Sequence, residues 1–229
     1  MRIVVLLISL LIVGGVNAMP AMNVYTINTS DKAEYRAWAK VSGPVIGKSI
    51  DAQVVGVCTP HAGAHEDNDL YVYVFNDSVA SALYALPGNE TVKAELSKLE
   101  VARVVRAREI FSLRKMQSAL TLKEGEFHSF WNTLAKVKDT NAYVKALEAM
   151  EKVFHKNGFE DIGIQIFYGL SGDSSGMTMS SVVAPNAKRL GEAFDALQAP
   201  WAKGVYKMVS AKREVIRGIG GSCETVYVK

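Results

Sequence analysis

The chain of 229 residues reads as one series of secondary-structure elements run through twice, and a duplication constrains the fold more tightly than any single motif. In the first half, Asn23–Asn28 (NVYTIN) is a β-type run, and Ser30 stands where a helix over Asp31–Val41 needs its N-cap. Ala52–Thr59 (AQVVGVCT) and Leu70–Asn76 (LYVYVFN) are β-branched and aromatic and flank a polar loop, which predicts a hairpin. Asp77 or Ser78 caps a second helix that continues over Val92–Val101 after the Pro87-Gly88 break, and Val104–Leu113 closes the series as a strand. The second half repeats the order. Phe127–Leu134 is a strand, Asp139 or Thr140 caps a helix to Lys156 that stops at Asn157-Gly158, and Ile162–Leu170 and Met177–Ala184 form the hairpin. Asn186 opens a helix through Leu197, and Ser210–Ile219 closes the second copy. Local matches keep the same order: Tyr35 with Tyr143, Ala82–Leu86 with Ala193–Leu197, and Arg108–Phe111 with Arg213–Ile216.

Each copy is a βαββαβ unit, the ferredoxin-like arrangement in which both helices cover one face of an antiparallel sheet. The other face is left bare and needs a cover. Leu70, Val72 and Val74 point to one side of their strand, and Tyr71, Tyr73 and Phe75 point to the other, so both faces are apolar. Ile162–Leu170 is likewise apolar on both sides. Two copies packed bare face to bare face satisfy this pattern. The fold class is therefore α+β: a first repeat over residues 22–117 and a second over 124–229, packed sheet to sheet as a pseudo-dimeric barrel.

In element order and internal repeat, residues 22–228 resemble the dimeric α/β-barrel superfamily in its fused tandem form. That group includes antibiotic-biosynthesis-type monooxygenases, small stress-responsive barrel proteins, chlorite dismutases and dye-decolourising peroxidases. The chain matches no haem-ligand or catalytic motif of these proteins, so the resemblance assigns neither a catalytic residue nor a cofactor. It does bear on the cysteines. The second and fourth strands of a ferredoxin-like sheet lie at opposite edges, so closing two sheets into a barrel sets the second strand of one repeat beside the fourth of the other. Cys58 ends the second strand of the first repeat and Cys223 follows the fourth strand of the second, so the two can meet as a disulfide across the junction. Such a loop of well over a hundred residues is worth roughly 4–5 kcal/mol in chain-entropy terms.

Two groups of residues are suited to chemistry. The first hairpin loop, Cys58 to Asp69, carries Cys58, His61, His65 and three carboxylates, ligand types that suit zinc or copper. His61 and His65 are the metal candidates, and a thiolate Cys58 would exclude the disulfide. The second group is the barrel interior. Tyr71 and Tyr73 share a strand face with Phe75; His128, Phe130 and Asn132 alternate on the first strand of the second repeat; Gln165 interrupts an apolar strand. Aromatics with a few polar groups are the composition of a small-molecule site. Tyr71, Tyr73, His128, Asn132 and Gln165 are accordingly the ligand-binding candidates, with His128 and its tyrosine neighbours as an acid–base set. Which face His128 takes depends on a one-residue register. The Arg108-Glu109 and Arg213-Glu214 pairs read as salt-bridge or edge-protecting residues. His155, in the last turn of its helix, suits the helix dipole.

The chain opens with one charged residue, Arg2, then an apolar run from Ile3 to Val13, Gly14-Gly15, and Val16-Asn17-Ala18. That is the order of a secretory signal, too short in its apolar part to anchor in a bilayer. Loss of residues 1–18 leaves 211 residues with a formal charge of +2, without the basic excess that nucleic-acid binding requires. An exported compartment, periplasmic or extracellular, is oxidising and suits a cystine. Three functions fit these features. The leading one is an exported barrel that binds a small, partly apolar ligand between its repeats, with scope for oxygenation or acid–base chemistry. A metal- or haem-binding periplasmic protein and a non-catalytic interaction module are the alternatives. Export itself predicts a mature chain that begins at or near Met19. N-terminal sequencing of secreted or periplasmic material is the check, and finding Met1 there refutes it.

Overall fold

In the computed structural model, which describes residues 18–84 and 88–229, eight antiparallel strands close into one barrel. The predicted leader, residues 1–18, lies outside the described residues except for Ala18. The first repeat supplies β1 (Ala21–Thr29), α1 (Lys32–Ser49), β2 (Val54–Ala62), β3 (Asp69–Asn76), α2 (Val79–Tyr84), α3 (Glu90–Ser97) and β4 (Arg103–Lys115). The second supplies β5 (Phe127–Val137), α4 (Thr140–Lys156), β6 (Gly163–Gly169), β7 (Thr178–Ala184), α5 (Ala187–Ala196), α6 (Pro200–Ser210) and β8 (Arg213–Val228).

The strand order around the barrel is β1-β3-β2-β8-β5-β7-β6-β4. Each repeat therefore keeps the ferredoxin-like order 4-1-3-2, and the repeats meet at two seams, β2 with β8 and β4 with β6. Alternation along the strands sorts the side chains into separate cores. Outward-facing Val55, Val57, Leu70 and Val74 pack with Tyr35 and Ala39 of α1 in the first repeat. Ile162, Ile164 and Ile166 pack with Tyr143, Leu147 and Phe154 of α4 in the second. Inward-facing Met22, Tyr73, Phe75, Phe111, Phe130, Phe167, Met179 and Val183 form a third cluster inside the barrel.

Two elements run further than their sequence implies, and glycine is the cause in both. Helix α1 passes through Gly43-Pro44, which reads as a helix stop after Val41. A Cβ at Gly43 would come 2.7 Å from Cγ2 of Val226, so the glycine lets α1 lie directly on β8. Its N-cap is Asp31 rather than Ser30; the Asp31 carboxylate accepts from the N–H groups of Ala33 and Glu34 at 2.9 Å each. Strand β8 continues through Gly218-Ile219-Gly220-Gly221 to Val228 instead of ending at Ile219. Trp131 of β5 lies over Gly218 and Gly220 and leaves no room for a side chain there. Cys223 thus lies within the strand, not beyond its end. Helix α6, led by Pro200 in its first turn, is an element without a counterpart in the predicted series.

The strand ends also correct one internal match. Arg103 pairs with the last residue of β1, Thr29, and Arg213 with the last residue of β5, Val137, so Arg103 and not Arg108 is the counterpart of Arg213. Arg108, Glu109 and Arg213 make hydrogen bonds, and among the described residues none of the four Arg-Glu residues forms the salt bridge that is one of their two expected roles. Arg108 donates to the Ala82 carbonyl at 2.9 Å, Glu109 accepts from the Ser174 N–H at 2.9 Å, and Arg213 donates to the Tyr143 hydroxyl at 3.0 Å. His155 accepts no special role either; its Nε2 lies 2.8 Å from the Ile162 carbonyl oxygen, tying the end of α4 to the following turn.

Cys58 and Cys223 face each other in register across the β2–β8 seam and form a disulfide, with Cα atoms 3.9 Å apart and 165 positions between them in sequence. The bond ties the repeats together covalently at one of their two seams. Replacing both cysteines by alanine should lower the unfolding free energy by about 5 kcal/mol in chain-entropy terms. Urea unfolding followed by tryptophan fluorescence measures the loss, and an unchanged stability would show that the seam needs no covalent tie.

Candidate functional site in the barrel interior

A cavity of about 1170 Å³ runs inside the barrel, lined by side chains from all eight strands. Most of its wall is apolar. Met22, Val24, Phe75, Phe111, Phe130, Leu134, Phe167, Met179 and Ile219 surround it, and Leu120 and Leu122 of the segment that joins the repeats contribute to the lining. Phe75 and Phe111 contact the Phe167 ring at centroid distances of 5.9 and 6.5 Å, which gives the wall a fixed aromatic layer.

Register places several of the polar groups on this wall. Tyr71, Cys58, Cys223 and His128 follow one another directly across β3, β2, β8 and β5. Asn132, Ser181 and Gln165 do the same across β5, β7 and β6. Tyr73, opposite Gly56 and Thr225, lies flat over Gly56, where a Cβ would overlap its ring. Its ring meets that of His128 edge-on at 6.5 Å. All five ligand-binding candidates, Tyr71, Tyr73, His128, Asn132 and Gln165, thus line the cavity together. Ser181 joins them without having been singled out in the sequence, since a serine in an apolar strand gains meaning only when register sets it between Asn132 and Gln165.

Several of these groups lack partners. The hydroxyls of Tyr71 and Tyr73, Oδ1 of Asn132 and the Thr225 hydroxyl are buried and make no hydrogen bond. Thr225 lies beside the Tyr73 hydroxyl, but the geometry between them completes no hydrogen bond. Buried polar atoms ordinarily find a partner, because leaving one unpaired costs about 1–3 kcal/mol. Tyr71, Tyr73 and Asn132 belong to the cavity wall, so three of these unpaired atoms sit within the lining of the cavity.

Burial also removes charge from this wall. Desolvation pushes the His128 imidazole down to about 4, so at neutral pH it is uncharged and offers one N–H donor and one lone pair. Desolvation pushes the Tyr73 phenol up to about 12, so it keeps its proton. The two arginines that reach the cavity are engaged elsewhere. Arg106 holds the Asp69 carboxylate at 2.8 and 2.9 Å and Glu66 at 3.2 Å, and Arg217 donates to the Gly63 carbonyl at 2.6 and 3.1 Å.

The hairpin histidines take different places. His61 is an exposed residue near the end of β2, with Nε2 3.0 Å from the Ser222 hydroxyl, and His65 lines the cavity from the β2–β3 loop. Cys58 is withdrawn from any metal site by its disulfide. Among the described residues, no group of three or more His, Cys, Asp or Glu side chains is arranged to hold a metal ion.

No protein-family model matches the sequence, and no curated protein sequence matches it. Solved structures do match the fold. A proposed monooxygenase from Fusobacterium nucleatum aligns over 92% of this chain and 94% of its own at a TM-score of 0.58 and 10% identity. A proposed monooxygenase from Lactobacillus acidophilus aligns over 91% and 95% at 0.55 and 12%. A haem-binding protein from Thermus thermophilus aligns over 90% and 91% at 0.51 and 12%. Likeness at these identities is likeness of fold. The fold they share is a closed α+β barrel, built here from two ferredoxin-like repeats in one chain.

The lowered His128 value gives a stability prediction with a definite sign. The unfolded imidazole binds a proton near pH 6.5 and the folded one only near 4, so stability is full above 6.5 and falls as pH drops through that window. Between pH 7 and 5 the loss attributable to His128 is about 2 kcal/mol, and it should vanish in His128→Phe. NMR titration of the ring together with urea unfolding at the two pH values tests both statements.

Proposed function

We propose that this protein binds a small, uncharged, largely apolar molecule inside its barrel, between the two repeats. The observation that carries the reading is the pairing of an aromatic- and methionine-lined cavity of about 1170 Å³ with buried polar atoms that have no partner in the protein. The apolar wall supplies affinity through burial, and Tyr71, Tyr73, Asn132, Ser181 and Gln165 orient a carbonyl or hydroxyl edge. A charged ligand fits poorly against the row from Tyr71 to His128, which offers it no opposite charge and would strip its hydration. Neutral His128 beside this edge is suited to share a proton with a bound hydroxyl, which is where acid–base chemistry would begin. Two structural neighbours described as monooxygenases and one as anthrone oxidase-like support a cavity of this fold acting on small molecules.

A second reading, haem binding, is favoured by one observation. His128 is an uncharged imidazole that lines the cavity, the form in which histidine ligates a metal. If haem were held there, His128 would be its protein ligand, and the group would supply redox chemistry. Export to an oxidising compartment belongs to the same proposal and rests on the disulfide.

Titration with the neutral fluorophore N-phenyl-1-naphthylamine, alongside native mass spectrometry and a visible spectrum, tests both readings. Saturable one-to-one binding, weakened at least fivefold in His128→Ala and in Asn132→Leu with the fold retained, is the expected result. Absence of saturable binding together with an apo mass refutes the ligand reading. A Soret band in purified protein that shifts in His128→Ala would establish the haem reading instead.

A further inference from the structure

The cavity wall contains a covalent bond that ligand binding leaves unused. Cys58 and Cys223 both line the cavity and belong to the barrel-interior cluster, not to the helix-covered cores. Their outward-facing neighbours Val57 and Glu224 are buried beneath α1, Val57 in the first helix-covered core and Glu224 in an ion pair with Lys40 of α1 at 2.8 Å, so this part of the helix side is closed over the sulfurs. Within the barrel, the disulfide stands in a single row between Tyr71 and His128, with the Tyr73 ring close by. A cystine used only as a staple needs no such opening.

We propose that Cys58–Cys223 is a thiol-reactive centre whose substrates are small-molecule thiols admitted through the barrel cavity. The chemistry is thiol–disulfide exchange. The sulfur of an incoming thiolate bonds to one Sγ, the Sγ–Sγ bond breaks, and the other Sγ leaves with the electron pair and takes a proton from water. A second thiolate attacks the mixed disulfide. The products are two protein thiols and one small-molecule disulfide, so the cystine is reduced and two thiols are oxidised. Neutral His128, the register neighbour of Cys223, has an N–H to donate toward the departing sulfur. Reduction opens the covalent tie of the β2–β8 seam, which makes the wall of the ligand cavity responsive to thiols.

The test measures the rate of thiol release from native protein by mass spectrometry, using 2-mercaptoethanol and a thiol-terminated polyethylene glycol too bulky to enter. Both rates are normalised to a flexible peptide disulfide. Expected is a rate that rises linearly with 2-mercaptoethanol concentration in native buffer and a normalised rate at least tenfold lower for the bulky thiol. A rate independent of thiol concentration would show that the bond opens only on unfolding, and equal normalised rates would show access from outside the barrel; either overturns the proposal. Leu134→Trp, which fills part of the cavity, should slow the small thiol at an unchanged unfolding rate. These measurements use the protein without added ligand, so a failure of ligand binding and a failure of thiol exchange are separately visible.

Discussion

The structure depends on covering the bare face of each four-stranded sheet. In one ferredoxin-like repeat the two helices protect only one side, and the other side carries Tyr73, Phe75 and Phe111 or Phe130, Phe167 and Met179. Neither set is stable in water. Apposing the two sheets buries both at once, and pairing β2 with β8 and β4 with β6 removes all open edges between the repeats. A second sheet is therefore a physical requirement of the first.

The same closure makes a site. Two twisted sheets bent into a barrel leave more volume between them than their inward side chains fill, and the remainder is the cavity. Its wall divides unequally. The first repeat contributes tyrosines from β3, and the second contributes His128, Asn132, Ser181 and Gln165 from β5, β7 and β6. A molecule between them would meet aromatic surface on one side and hydrogen-bonding amides on the other. Burial in this space keeps His128 uncharged and Tyr73 protonated, so these two groups offer hydrogen bonding and proton sharing, not ion pairing.

The seams differ in ways that matter to the site. The β2–β8 seam is matched over eight residue pairs and carries the disulfide, while β4 and β6 are matched over four. Lys115 strengthens the shorter seam from the helix side, where its ammonium reaches both the Glu151 carboxylate and the Ile164 carbonyl at 2.6 Å. The Glu151 carboxylate in turn accepts from the Ile164 N–H at 2.7 Å, so this half-buried ion pair is satisfied by backbone as well as by charge.

Sequence alone determined the order of elements, the duplication, and the two-sided apolar character of the strands, because alternation and helix periodicity are local properties of a chain. These were enough to imply the barrel and to bring Tyr71, Tyr73, His128, Asn132 and Gln165 into consideration. Tertiary structure decided which face each strand turns inward, since a one-residue slip reverses it. It set Ser181 between Asn132 and Gln165 and put His128 on the cavity side. It also decided the fate of the glycines. Gly43, Gly218 and Gly220 have the local chemistry of breaks, yet α1 and β8 run through them, because a glycine that ends an element in isolation can permit close packing when Val226 or Trp131 stands opposite. Cys58 could serve as a thiolate ligand or as half of a cystine by its own chemistry; the register of β2 on β8, which places Cys223 across from it, made it the latter.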